Sequence, residues 1–134
     1  EFIDFLKSAD QKYWQVLPLG PTSYGDSPYQ SCSTFAGNHY LIDLDLLAEE
    51  GLLQSREYQD IDWCDEASRA DFGKLYANRL PVLRLAFARF TGGEDFDRFC
   101  SENSTWLSDF ALFMALKARF DGKAWFQWDE GLKR

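Results

Sequence analysis

Leu17-Pro18-Leu19-Gly20-Pro21-Thr22-Ser23-Tyr24-Gly25-Asp26-Ser27-Pro28-Tyr29-Gln30-Ser31 carries the reading of this chain. The run has no helical period, and Gly and Pro punctuate it. It opens a longer loop from Pro18 to about Asn38, and loops of that length in compact domains are usually functional. Just before it, Tyr13-Trp14-Gln15-Val16-Leu17 is a short apolar run that reads as a buried strand, stopped by Pro18 and Gly20-Pro21. Further back, Phe2, Phe5, Leu6 and Ala9 recur at helical spacing, so residues 1–11 read as an amphipathic helix. A helix feeding a short buried strand is half of a βαβ repeat. A loop leaving the carboxyl end of such a strand sits where α/β barrels keep their active sites.

The side chains of the loop suit a sugar. Tyr24 and Tyr29 flank Gly25-Asp26-Ser27-Pro28, with the amide of Gln30 beside them. A pyranose has an apolar face that stacks on flat rings and a rim of hydroxyls that seeks paired donors and acceptors. Gly25 and Pro28 fix the turn, so these groups are presented rather than averaged. The same residues also fit a rigid surface loop with its tyrosines packed inward. Local chemistry leaves both readings open.

Composition removes several classes. At 134 residues and 46% hydrophobic, the chain can bury a core and is neither disordered nor fibrous. A net charge of -8 argues against nucleic acid, whose phosphates need Lys and Arg. No run approaches the 18 or so apolar residues of a membrane span, and no basic n-region of a signal peptide precedes the first helix. The chain opens at Glu1 without Met, which reads as a piece of something longer. Acidity concentrates between Asp43 and Lys74, where Asp43, Asp45, Glu49, Glu50, Glu57, Asp60, Asp62, Asp65, Glu66 and Asp71 face only Arg56, Arg69 and Lys74. A solvated acidic face explains this; an EF-hand fails, because Cys64 and Asp65 follow Asp60-Ile61-Asp62 where an oxygen ligand and Gly belong. Cys32, Cys64 and Cys100 are far apart and His39 stands alone, so zinc is not expected and the thiols read as reduced and cytoplasmic.

Beyond the loop, Tyr40–Leu44 reads as a second short strand or an extended segment, and Asp45–Gly51 as a helical turn or two closed by Gly51. Residues 52–65 read as loop. From Glu66 the period is helical, with Phe72, Leu75, Tyr76, Leu80, Leu83, Phe87 and Phe90 on one face. Pro81 is expected to kink or split that helix, and Gly92-Gly93 to end it. Phe96, Phe99 and Cys100 mark a shorter helix. Ser104 is a candidate cap for another, whose stripe is Trp106, Leu107, Phe110, Phe113, Met114 and Ala118 and which Gly122 closes. Trp125 and Trp128 then read as exposed.

The long motif, with Phe35-Ala36-Gly37-Asn38 and Leu41-Ile42-Asp43-Leu44 after it, resembles the N-terminal signature of the 4-α-glucanotransferases, glycoside hydrolase family 77. Tyr13-Trp14-Gln15-Val16 and Asp109-Phe110-Ala111-Leu112-Phe113-Met114-Ala115-Leu116-Lys117 match the family's pattern too. His39 departs from it, since Pro commonly follows Gly-Asn there. The resemblance implies an α/β fold: the first strands of a (β/α)8 TIM barrel, with residues 1–51 beginning the catalytic barrel around the glucan-binding loop 18–38 and residues 52–134 forming a mainly helical insertion. It implies transfer of α-1,4-glucan segments between maltodextrins with retention, by double displacement through a carboxylate nucleophile and an acid/base carboxyl group. No cofactor or metal is implied.

Carried over by position, the resemblance makes Tyr29 an aromatic wall next to the scissile bond, with Asp26 and Ser27 supporting glucan in the same cleft. Tyr24 and Tyr76 match an aromatic pair at a secondary glucan site; for Tyr76, core packing beside Phe72 and Leu80 is an equal alternative. The family's catalytic acids belong to the second half of the barrel, so no catalytic residue is assigned here. The piece alone is expected to be inactive, and to self-associate or dissolve poorly through unburied apolar faces. Two other readings stand beside this one, a truncated glucan-binding module without catalysis and a hydrolase of the α-amylase clan.

Overall fold

Capping by short acidic side chains sets where two of the helices begin. In the computed structural model, which describes residues 1–23 and 25–133, the chain divides into two compact units, residues 1–38 and 39–134. The first holds α1, Phe2–Ser8. Asp4 in its first turn and Lys7 in its last complement the helix dipole. None of its residues is buried. The edge of Phe2 meets Trp14 at 5.1 Å between ring centroids. Residues 11–19 have no regular secondary structure, and the loop follows.

In the second unit, Asp43 accepts hydrogen bonds from the Asp45 and Leu46 amides at 2.9 and 3.3 Å and starts α2, Leu44–Glu49. Gly51, at φ 77°, reverses the chain. The Leu52 and Leu53 amides then return to the Leu47 carbonyl at 2.8 and 3.2 Å. That reversal brings Leu53 back onto α2. Asp71 accepts from the Lys74 amide at 3.0 Å and starts α3, Phe72–Arg89. Leu44, Leu53, Tyr58, Val82 and Ala86 form the core, with Leu47, Ile61, Trp63 and Leu83 packed against it. Gly92 and Gly93, both at positive φ, separate α3 from α4, Glu94–Glu102. α5, Leu107–Arg119, follows.

The described residues contain no strand, and this corrects both strand expectations. Tyr13–Leu17 stays unpaired. His39–Leu41 is a 3₁₀ turn, and Leu44 already belongs to α2. A strand is stable only when a neighbour takes its amides and carbonyls. For Tyr40–Leu44 the Asp43 side chain offers the backbone a helical start instead.

Four other expectations change. α3 is continuous across Pro81 rather than split there, because the one lost backbone bond is outweighed by the packing of Val82, Leu83 and Ala86 that the helix supports. Its buried residues are Val82 and Ala86, one position round from the expected stripe, which leaves Tyr76 and Phe87 exposed. α5 begins after Trp106 rather than at Ser104, with the Trp106 indole N–H donating to Asn103 Oδ1 at 3.0 Å. Trp128 is buried at 5% exposure, stacked on Phe120 with centroids 5.6 Å apart and close to Phe113. Its indole N–H donates to the Lys123 carbonyl at 3.0 Å, so the ring and its polar atom are both satisfied. No described helix is long and apolar enough to cross a membrane.

Candidate functional site

Two successive turns shape the loop. Asp26 donates its amide to the Ser23 carbonyl at 2.9 Å, and Gln30 donates to the Ser27 carbonyl at 3.1 Å. Gly25 at φ 90° and Asp26 at φ 54° occupy the left-handed region. Gly does so without steric cost, and Asp is among the few other residues that tolerate it. Pro28 supplies the fixed φ that the second turn needs. Asp26 and Ser27 come out half-buried, while Tyr29 is 75% exposed. The Ser27 hydroxyl accepts from the Tyr29 amide at 3.4 Å, so these three residues are held as one local group. Tyr24 lies outside the described residues. Tyr76 sits in the second unit on α3 with its ring 71% exposed.

Hydroxyl groups hold the loop together. Ser23 Oγ donates to the Gln30 carbonyl at 3.1 Å, across the segment that carries Asp26, Ser27 and Tyr29. Ser31 Oγ donates to the Ser33 carbonyl at 2.7 Å and accepts from the Ser33 amide at 3.3 Å. Ser33 Oγ accepts from the amides of Phe35 and Ala36 at 3.2 and 3.1 Å. The Asn38 amide donates to the Leu19 carbonyl at 2.9 Å and closes the base. Gly20 faces this lattice directly: a Cβ there would stand 2.6 Å from Ser31 Oγ and 3.2 Å from the Ser33 carbonyl. The serines were not singled out in the sequence. Their signal was the Ser31-x-Ser33 spacing, which suits side-chain-to-backbone turns.

In the second unit, charged groups serve as staples. Arg89 makes a two-pronged pair with Glu57 at 2.6 and 2.7 Å and donates to the Leu52 carbonyl at 2.9 Å. That guanidinium, with the Gln54 amide, pulls the Glu57 carboxyl down to about 2. Lys74 bridges Asp62, at 2.6 Å, and Asp65; the two carboxylates hold its pKa above the ordinary lysine value. Arg79 donates to the carbonyls of Tyr40, at 3.2 Å, and Ile42, and lies 5.6 Å over the Trp63 ring. Tyr58 donates its hydroxyl to Asp45 at 2.6 Å, and that bond raises its pKa. His39 is held below the ordinary imidazole range by burial and then by Arg79.

These acids are therefore committed to structure, and among the described residues no three metal-ligating side chains come together. Cys32, Cys64 and Cys100 are free thiols. The first unit presents the exposed Tyr29 near the half-buried Asp26 and Ser27 on a hydrogen-bonded backbone.

Comparison with known sequences supplies the family, which the loop and the helical unit by themselves leave open. The family model of glycoside hydrolase family 77, described as 4-alpha-glucanotransferase, matches residues 1–134, and the chain belongs to that family. It is 49% identical over 133 residues to a 4-alpha-glucanotransferase of Streptococcus pneumoniae, covering 97% of this chain and 26% of that protein. The corresponding Thermus thermophilus protein is 47% identical over 140 residues, covering 100% and 27%. An amylomaltase from Streptococcus agalactiae, solved in complex with acarbose, superposes with a TM-score of 0.87 at 45% identity, covering 96% of this chain and 27% of that one. The chain spans about a quarter of the length of these relatives.

Proposed function

We propose that this chain is the N-terminal portion of a cytoplasmic 4-α-glucanotransferase that moves α-1,4-glucan segments between maltodextrins. Residues 1–51 begin the catalytic barrel, and residues 52–134 form its mainly helical insertion. The observation that carries the reading is the pinned loop with Tyr29 exposed and Asp26 and Ser27 beside it. It occurs in a chain 45% identical to a protein solved with acarbose.

In this reading Tyr29 stacks on the apolar face of the donor sugar, and Asp26 and Ser27 take its hydroxyls. Tyr24 and Tyr76 hold glucan at a secondary site. The exposure of Tyr76 supports a stacking role over a core one. The nucleophile and the acid/base carboxyl group lie elsewhere in the protein. They form and break the glucosyl-enzyme bond, with a glucan 4-hydroxyl replacing water as acceptor. The loop's contribution is orientation: a donor held off line loses the effective concentration that makes attack fast.

The test uses maltotriose. The 134-residue chain should release no glucose, while the full-length enzyme should yield glucose and longer maltodextrins. Tyr29→Ala in the full-length enzyme should lower kcat about a hundredfold or more. An unchanged rate would remove Tyr29 from the site. Product formation by the short chain would place the catalytic acids within it.

A further inference from the structure

We propose that Ser23 and Ser31 are positioning residues of the sugar loop, locking the segment that carries Asp26, Ser27 and Tyr29 at its tip and at its base. The proposal rests on the reading of that loop as glucan-binding. Ser23 Oγ reaches the Gln30 carbonyl at 3.1 Å, so one hydroxyl ties the entry of the first turn to the exit of the second. Between those points Gly25 and Asp26 hold positive φ, and the Ser23 bond keeps the two ends of that segment together. At the base, Ser31 Oγ both donates to and accepts from Ser33, at 2.7 and 3.3 Å.

Gly20 makes that base lock possible. Its hydrogen stands where any Cβ would meet Ser31 Oγ at 2.6 Å, closer than carbon and oxygen approach without a shift. The Asn38 amide on the Leu19 carbonyl closes the loop next to it. Neither serine needs to touch sugar. Each acts by holding the backbone that carries Tyr29, a side chain whose own packing is slight because it is 75% exposed. An exposed aromatic side chain can orient a ligand only as well as its backbone is held.

The experiment uses the full-length enzyme with maltotriose, comparing Ser23→Ala, Ser31→Ala and Ser23→Thr with Tyr29→Ala. Ser23→Ala and Ser31→Ala should each lower kcat about three- to tenfold with KM changed less than about twofold and the melting temperature unchanged, because orientation rather than folding is lost. Ser23→Thr keeps the hydroxyl and should recover kcat to within about twofold. If both alanine variants keep full kcat while Tyr29→Ala is crippled, the loop binds sugar without these locks and the proposal is overturned. An equal loss in Ser23→Thr and Ser23→Ala would also overturn it, since the hydroxyl would not be the active group. If Tyr29→Ala itself is unaffected, the glucan reading of the loop fails, and the proposal with it.

Discussion

Residues 1–38 and 39–134 reach order by different means. Among the described residues of the first unit only Pro21 and Ala36 are buried, and Tyr13, Trp14, Phe35 and most of α1 are exposed. Its shape comes from hydroxyl-to-backbone hydrogen bonds and from turns. The second unit packs Leu44, Leu53, Tyr58, Val82 and Ala86 together and pins the periphery with Arg79 and Arg89. Hydrogen bonds fix directions but add little net stability, about 0.5–1.5 kcal/mol each. Apolar burial adds stability without fixing directions. A recognition loop needs the first property, and a scaffold needs the second.

The sharpest way to break this comparison is a cavity in the second unit. Leu53→Ala removes a side chain that is 3% exposed and should cost about 2–4 kcal/mol in urea unfolding. A loss below about 1 kcal/mol would mean that packing is not what holds residues 39–134.

A smaller effect should follow acid. Glu57 titrates at about 2 in the folded chain, against an ordinary 4.5. A lowered folded pKa means the Arg89 pair stabilises fully above 4.5, and its contribution fades as pH falls towards 2 and below. Unfolding midpoints taken between pH 6 and pH 2 should therefore fall more steeply in the native chain than in Glu57→Gln. Parallel curves would show that the pair contributes nothing.

The smallest change is expected in the first unit. Trp14→Ala deletes a large ring, yet that residue is 58% exposed, with Phe2 against it at 5.1 Å between centroids. The stability of this chain should shift by less than about 0.5 kcal/mol in the same urea assay. A loss comparable to that of Leu53→Ala would show that the first unit has a packed core after all.

Much of this architecture was legible residue by residue. Helical spacing found α1, α3, α4 and α5, and Gly51 and Gly122 stand at positive φ where the helices before them end. The loop and its chemical character followed from Gly, Pro, Tyr and Ser alone. The starts were harder. α3 begins at Asp71 rather than near Glu66, and α5 after Trp106 rather than at Ser104, because several polar residues in a row can each serve as a cap. The buried face of α3 was misjudged by one position. The stripe of Phe72, Tyr76, Leu80 and Phe87 is the larger in area, but Val82 and Ala86 are the residues that α2 and the Leu53–Tyr58 turn can approach closely.

Local chemistry was therefore sufficient for what depends on neighbours a few residues away: turn residues, helical periods and the loop character of residues 18–38. The partners of Arg79 and Arg89 were settled by groups distant in sequence. Arg89 and Glu57 are separated by 32 positions, and Arg79 and Ile42 by 37. No periodicity encodes such a pair. It forms when the packing of Leu44, Leu53 and Val82 has already brought the two segments within reach, so that a guanidinium meets a carboxylate or a carbonyl only after the apolar contacts have chosen the geometry.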